Sequence, residues 1–311
     1  MAAQIAKETL FLHNAEMGLG AWAWGDRVFW HYGQDYTDED IRAAFQTSLE
    51  AGINLVDTAE VYGSGRSERL LGQFIKNADK PVLVATKFMP FPWRLSKRAL
   101  MNALHRSLER LELEHVDLYQ IHWPFPPFPI EHWVEGLARA VKARLTHAVG
   151  ISNYDKNQMQ RAYNVLAKHD IPLASNQVEY HLLDRTIEKH GLLERCQELS
   201  VRLIAYSPLA KGLLTGKYTP DNLPPGIRGR RAAGILSRIG PLLQLMTEIG
   251  QDHGNKTPGQ VALNWVIYKG ALPIPGAKNA SQAAQNAAAT GWRLTPEQVR
   301  ALDEASDQFT K

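Results

Sequence analysis

Eight short apolar runs recur along the chain, each followed by a segment with helical periodicity. That alternation restricts the fold more than any other feature. The runs fall at 17–22, 53–58, 82–87, 116–122, 147–152, 173–178, 203–207 and 272–275. Several are nearly continuous in apolar residues, as expected for strands covered on both faces. The intervening segments carry helix signals. Thr37 and Asp40 have capping-box spacing, and Ile41, Phe45 and Leu49 follow on one face. Ser96 can cap a helix with the stripe Leu100, Leu104, Leu108 and Leu111. Asp155 precedes Gln158, with Met159, Ala162 and Leu166 directed inward. Thr257-Pro258 and Thr295-Pro296 each place proline at the first helical position, with Gln260 and Gln298 three residues after the threonine.

Strand and helix alternating eight times predict a closed parallel α/β barrel, the (β/α)8 TIM fold, with 1–311 forming a single domain. An open doubly wound sheet is the rival. It is disfavoured because no G-x-G-x-x-G follows the first strand; Gly18 and Gly20 are only a fragment of one. Two segments break the rhythm. Residues 123–129, W-P-F-P-P-F-P, suit neither a helix nor a central strand. Residues 207–240 hold Pro208, Pro220, Pro224, Pro225 and the basic run Arg228, Arg230 and Arg231. Both begin where strands end, on the C-terminal face where barrels build their sites, so both predict long loops there.

Composition narrows the function classes. A 44% hydrophobic content over 311 residues is enough for one large core, and a net charge of +3 is too small to suggest a nucleic-acid partner. Cys196 is the only cysteine, so neither an internal disulfide nor a cysteine zinc site is expected, and no metal is predicted. The N-terminal M-A-A-Q-I-A-K-E-T-L lacks an apolar run of signal-peptide length, and no stretch approaches the ~18 apolar residues of a membrane span. The expectation is a cytoplasmic protein with no membrane partner; the oligomeric state stays open, with a monomer favoured.

Four residues stand at or just past the ends of predicted strands: Asp57 and Tyr62 in N-L-V-D-T-A-E-V-Y-G, Lys87 in V-L-V-A-T-K-F, and His122 in D-L-Y-Q-I-H-W-P. Taken singly, each has an ordinary reading: a core salt bridge for Asp57 and Lys87, a packed aromatic for Tyr62, a satisfied core imidazole for His122. Together they fall on three consecutive strand ends of one barrel face, which argues for a site. An ammonium beside a buried tyrosine pulls its pKa down from ~10, making it a usable proton donor to a carbonyl oxygen. His122 can hold the same oxygen, and Asp57 can keep Lys87 charged. Trp22, Trp24, Trp93 and Trp123, with Phe125, offer an apolar wall for a substrate.

With these motifs the chain resembles the aldo-keto reductase family, NADPH-dependent TIM barrels that reduce aldehydes and ketones. The resemblance runs over about residues 10 to 308, essentially the length of one barrel. It implies that Asp57, Tyr62, Lys87 and His122 form the catalytic tetrad. Ser152 and Asn153 in A-V-G-I-S-N, and Gln177 in N-Q-V-E-Y, suit a nicotinamide carboxamide, which both donates and accepts. I-A-Y-S-P-L-A-K-G-L-L-T-G-K-Y looks like the family's segment in which Tyr206 would stack on the nicotinamide and Ser207, Leu209 and Lys211 would hold the pyrophosphate. It is similar to branches related to potassium-channel β-subunits and to bacterial and plant reductases. In P-I-P-G-A-K-N-A-S-Q-A-A-Q-N, the resemblance assigns Gly276, Lys278, Gln282, Gln285 and Asn286 to the adenosine phosphate and adenine. Gln282 stands where some branches have arginine, so selectivity for the 2′-phosphate would rest mainly on Lys278. Arg144 and Leu145 replace a glycine and lysine common in relatives, at a turn away from the predicted site.

The leading expectation is therefore an NADP-dependent carbonyl reductase acting on a small-molecule carbonyl. Two alternatives stay open: a Schiff-base aldolase-type barrel using Lys87 as nucleophile, and a cofactor-sensing regulatory subunit with slow turnover.

Overall fold

A computed structural model describes residues 10–310. Residues 1–9, most of the stretch that argued against a signal peptide, lie outside it, as do residue 311 and the side chains of Lys97, Ile227 and Arg231. Eight parallel strands pair in chain order: β1 Leu19–Gly20, β2 Leu55–Asp57, β3 Leu83–Phe88, β4 Val116–Ile121, β5 Thr146–Ser152, β6 Leu173–Glu179, β7 Arg202–Tyr206 and β8 Leu272–Pro273. The ends of the sheet then meet. Gly18 N–H donates to Pro273 O and Gly20 N–H to Pro275 O, both at 3.0 Å. Gly20 also bridges Gly276. The sheet is a closed barrel, as the alternation predicts. Observed strand ends lie within two residues of the predicted ones; β1 loses two residues at each end, and the chain turns back after it with Trp24 N–H donating to Ala21 O.

Between the strands run helices α1 Leu10–Asn14, α2 Asp38–Glu50, α3 Arg66–Lys76, α4 Lys97–Leu111, α5 Ile130–Lys142, α6 Lys156–Ala167, α7 Thr186–Lys189, α8 Leu192–Glu198, α9 Ile227–Leu236, α10 Gly240–Asp252, α11 Pro258–Tyr268, α12 Ala280–Ala287 and α13 Pro296–Ser306. The capping boxes fall where expected. Gln158 N–H donates to Asp155 and Asp155 N–H to Gln158, with the same reciprocal pairs at Thr257–Gln260 and Thr295–Gln298. At Thr37 the pattern is one-sided: both its N–H and its hydroxyl donate to the Asp40 carboxylate. Ser96 is the N-cap of α4 but makes no side-chain cap bond. The predicted stripes on α2, α4 and α6 are buried. The 207–240 segment is not all loop, since α9 forms within it.

The period-two alternation of strand side chains builds two separate cores. Val56, Val84, Tyr119, Ile121, Val149 and Ile151 pack outward against the helices. Leu55, Ala85, Leu118, Ala148, Ala174, Ile204 and Leu272, one from each of β2 to β8, form an inner layer, with Leu12 of α1 packed against it. Two residues further along their strands from Leu55, Ala85, Leu118 and Ile204 stand Asp57, Lys87, Gln120 and Tyr206. The register that fills the barrel floor therefore directs these polar groups to the layer above it.

Candidate active site

Above the inner layer opens a cavity of about 1280 Å³. That exceeds the roughly 300–1,000 Å³ of a typical small-molecule site, leaving room for a long ligand as well as a small one. Lys87, from β3, is fully buried beneath its floor. An ammonium has three protons and accepts nothing. Lys87 Nζ donates one each to the Asp57 carboxylate, the Thr58 carbonyl at 2.8 Å and the Tyr62 hydroxyl at 3.3 Å. Burial is the largest single influence and pushes Lys87 toward neutrality, but the charges of Asp57 and Tyr62 and the hydrogen bonds to both together outweigh it, and the lysine titrates above its ordinary value.

Tyr62 reaches this position through the sequence that follows it. The chain turns sharply, with φ of 53° at Gly63, 56° at Ser64 and 83° at Gly65. A Cβ on Gly63 would lie 2.8 Å from the Gly25 backbone, so this turn also needs a glycine for close approach. Burial raises the Tyr62 hydroxyl above its ordinary value, Lys87 pulls it down, and Asp57 pushes it up. The net direction is upward. This corrects the simpler sequence argument, in which the ammonium alone set the balance: in this structure the phenol keeps its proton at neutral pH.

His122 packs edge-on against Tyr62, with ring centroids 5.7 Å apart. Burial and the nearby Lys87 charge hold its imidazole well below the usual range, so the ring is neutral at pH 7. His122 Nδ1 is buried without a hydrogen-bond partner. Asp57 is shared more widely than the sequence suggested. Its Oδ1 serves Lys87, while its Oδ2 accepts from Gln177 at 2.8 Å and Gln120 at 3.3 Å. Gln120 was not singled out from sequence. A glutamine inside the apolar run V-D-L-Y-Q-I was the available signal, because a fully buried amide needs partners.

The remaining predicted positions extend along the same cavity. Ser152, Asn153, Gln177, Tyr206, Ser207, Leu209, Lys211, Gly276, Lys278, Gln282, Gln285 and Asn286 all line it, as do Trp22 and Trp123. Several are held in advance. Ser152 Oγ donates to Gln177 O at 2.8 Å, Asn153 Nδ2 donates to His122 O at 3.0 Å, and Tyr206 O–H donates to Asn153 Oδ1 at 2.9 Å. Gln177 has its amide nitrogen directed to Asp57, so its Oε1 is left as an acceptor. Lys211 donates to Glu179 at 2.8 Å. Burial alone would raise Glu179; hydrogen bonds from His181 and Lys211 outweigh it and bring the carboxyl to about 2. The Lys211 charge is thus already neutralised.

Three expected wall residues lie outside the cavity lining; Phe125 is exposed and stacks on Trp123 at 5.5 Å. Trp24 is fully buried, donates to Ala277 O at 3.2 Å and packs on Phe45 and Phe74 in the outer core. The turn after β1 points it outward, away from the cavity. Trp93 is 72% exposed and stacks on Phe91 at 4.5 Å, outside the cavity lining. The first long loop instead contributes Trp30, which lines the cavity, and Phe29, stacked on Trp22 at 5.1 Å. Asp26 Oδ1 organises this turn by accepting the N–H groups of Val28 and Phe29. D-R-V-F-W was a legible Asx-turn sequence.

Among the described residues no helix is long and apolar enough to cross a membrane. The model of the aldo/keto reductase family matches residues 16–307. The chloroplastic pyridoxal reductase of Arabidopsis thaliana is 41% identical over 313 residues, covering 96% of this chain and 85% of that protein. An aldo-keto reductase from Klebsiella pneumoniae, solved in complex with NADPH, superposes with a TM-score of 0.74 at 31% identity, covering 93% of this chain and 90% of its own. A glycerol dehydrogenase from Gluconobacter oxydans gives a TM-score of 0.82 at 28% identity, covering 94% and 92%.

Proposed function

The chain belongs to the aldo/keto reductase family of oxidoreductases, and we propose that it reduces aldehydes and ketones to alcohols with NADPH, using Tyr62 as the proton donor. One observation carries this reading. Lys87 can only donate, so the Tyr62 oxygen must accept from it, and the Tyr62 O–H proton is left for the cavity. The donor is kept protonated by burial and stabilised after proton loss by an ammonium 3.3 Å away. Those are the two properties that acid catalysis at a carbonyl requires.

The cavity suits a dinucleotide. Its volume, the acceptor Oε1 of Gln177 and the ammonium of Lys278, which forms no ion pair among the described residues, suit a ligand carrying both a carboxamide and a phosphate. Tyr206 and Asn153 would flank the nicotinamide, while Gln285 and Asn286 would meet the adenine. When bound, the cofactor supplies hydride to the carbonyl carbon. Tyr62 passes its proton to the carbonyl oxygen, and Lys87 bears the resulting phenolate. His122 holds that oxygen with the one proton of its neutral ring. Asp57, fixed by Gln120 and Gln177, keeps Lys87 charged and pointed at Tyr62. Trp22 and Trp123 give the substrate end an aromatic wall, which favours planar aldehydes. The relative named for pyridoxal makes pyridoxal the first one to test.

The Schiff-base alternative needs a neutral lysine, whereas all three Lys87 protons are engaged and its charge is stabilised. The test is steady-state NADPH oxidation over a panel of aldehydes including pyridoxal and methylglyoxal, with Tyr62→Phe beside the native chain. The expected result is turnover that falls ~10²–10⁴-fold in the variant, while NADPH binding persists. Tight NADPH binding with no turnover on any carbonyl would favour the regulatory-subunit reading instead.

A further inference from the structure

We propose that Arg228 is the second cation of the cofactor's adenosine-phosphate site, reaching from α9 to share the 2′-phosphate of NADPH with Lys278. This rests on the NADPH reading above and adds a residue to it from outside the segment that follows β8.

The groove wall after β8 supplies a single positive charge. Between Gly276 and Ala287 only Lys278 is cationic. Gln282, where some relatives carry arginine, is neutral and turned back: its Oε1 accepts the Lys278 N–H at 3.0 Å. A dianionic phosphate bound there would face one ammonium. A second positive charge comes from a different element, α9. Arg228 lines the same cavity, with its guanidinium carbon 4.8 Å from the centre of the Trp30 ring and 5.9 Å from that of Phe29. Lys278 Nζ lies 5.0 Å from the same Trp30 centre and donates to Trp30 O at 3.0 Å. One indole therefore has beside it a cation from α9 and a cation from the segment after β8.

Neither cation forms an ion pair among the described residues, and Arg228 Nε is buried without a hydrogen-bond partner. After burial, the charge of Arg228 is the largest influence destabilising the Lys278 ammonium. Lys217 adds to it, while Asp35 and Asp26 oppose it without pairing. Two like charges brought together at the edge of a cavity, without a counterion, are relieved by an anion that accepts from both. A phosphate dianion does so, and the planar fork of arginine matches its oxygens. Trp30 holds the fork through its ring face.

The experiment is calorimetric titration of NADPH and NADH into the native chain, Arg228→Gln, Arg228→Lys and Lys278→Gln. Losing one charge-assisted hydrogen bond should weaken NADPH roughly ten- to a hundredfold in Arg228→Gln. NADH should bind as before, which also reports that the variant is folded. Arg228→Lys should recover part of the loss, and the salt dependence of NADPH binding should flatten in Arg228→Gln. If NADPH and NADH weaken equally while thermal unfolding is unchanged, Arg228 serves the pyrophosphate and the proposal is overturned. If Arg228→Gln affects neither while Lys278→Gln still costs NADPH alone, the proposal fails and the NADPH reading stands. Should neither variant separate the two cofactors, both fall.

Discussion

Lys87 Nζ sits 3.3 Å from the Tyr62 hydroxyl and 4.9 Å from the centre of the Tyr62 ring, so one ammonium stabilises both the oxygen and the π-face of the same side chain. The Lys87→Met variant keeps most of the bulk and removes that charge. Turnover should collapse, and Lys87→Arg should not restore it, because a planar fork cannot give three divergent hydrogen bonds to Asp57, Thr58 and Tyr62. Removing one partner of a buried pair costs about 3–5 kcal/mol, so Lys87→Met should also unfold earlier on heating. Undiminished aldehyde reduction by the Met variant would end this account of Tyr62.

His122 gives the second expectation. Its ring stays neutral because burial and Lys87 hold it well below ~6.5, the ordinary value. Turnover should therefore show no loss from protonation of His122 as pH falls through about 6.5, the ordinary imidazole value. The stability sign follows from linkage. Below about pH 6.5 the unfolded chain takes up a proton at this position that the folded chain refuses, so stability falls as pH falls. Urea unfolding of His122→Gln should lose less stability over that range than the native chain. An NMR titration placing the ring near 6.5 would contradict both statements.

Barrel closure supplies the third. An added Cβ on Gly20 would lie 2.7 Å from Ile274 O, at the junction where Gly20 N–H reaches Pro275 O. Backbone cannot yield there as a flexible side chain would. Gly20→Ala should cost ~1–3 kcal/mol as overpacking, read as a lower midpoint in thermal unfolding. A midpoint equal to the native one would mean that the β1–β8 junction relaxes freely.

That junction also shows where the sequence was readable. The two glycines near β1 were seen only as a fragment of a phosphate-binding motif; in the structure they close the barrel, a long-range pairing that no local pattern encodes. Strands were legible because both faces are covered, leaving apolar runs, and helix starts because capping is a three-residue affair. The four polar residues at strand ends were legible because a charge after an apolar run is costly unless used. Trp24 and Trp93 were misread because an aromatic near a strand end has no preferred side until the turn fixes it. Arg144 holds φ of 60°, a conformation that favours glycine, and the cost of an arginine there is local. The pairing of Gln177 with Asp57 and of Trp30 with Lys278 joins residues far apart in sequence, and only the closed barrel brings them together.

The last expectation concerns pH and cofactor choice. Burial first, then the charge of Arg228, lowers the Lys278 ammonium to about 8, with Lys217 adding to the effect and Asp35 and Asp26 opposing it. A bound phosphate favours the charged form and raises that value. Above about 8, then, the free protein must take up a proton to bind NADPH, and affinity falls as pH rises, by at most about tenfold per pH unit for one proton. NADH has no 2′-phosphate to interact with Lys278, so its affinity should stay level over the same range. The ratio of NADH to NADPH dissociation constants should therefore shrink between roughly pH 7.5 and 9.5, a range in which the phosphate itself (second pKa ~6) is already fully ionised. Lys278→Arg separates this from general alkaline effects, because a guanidinium does not titrate there. In that variant the ratio should be flat with pH, even if its value at pH 7.5 changes. A ratio that shrinks equally in Lys278→Arg would move the titrating group elsewhere, and a flat ratio in the native chain would mean that Lys278 does not meet the 2′-phosphate.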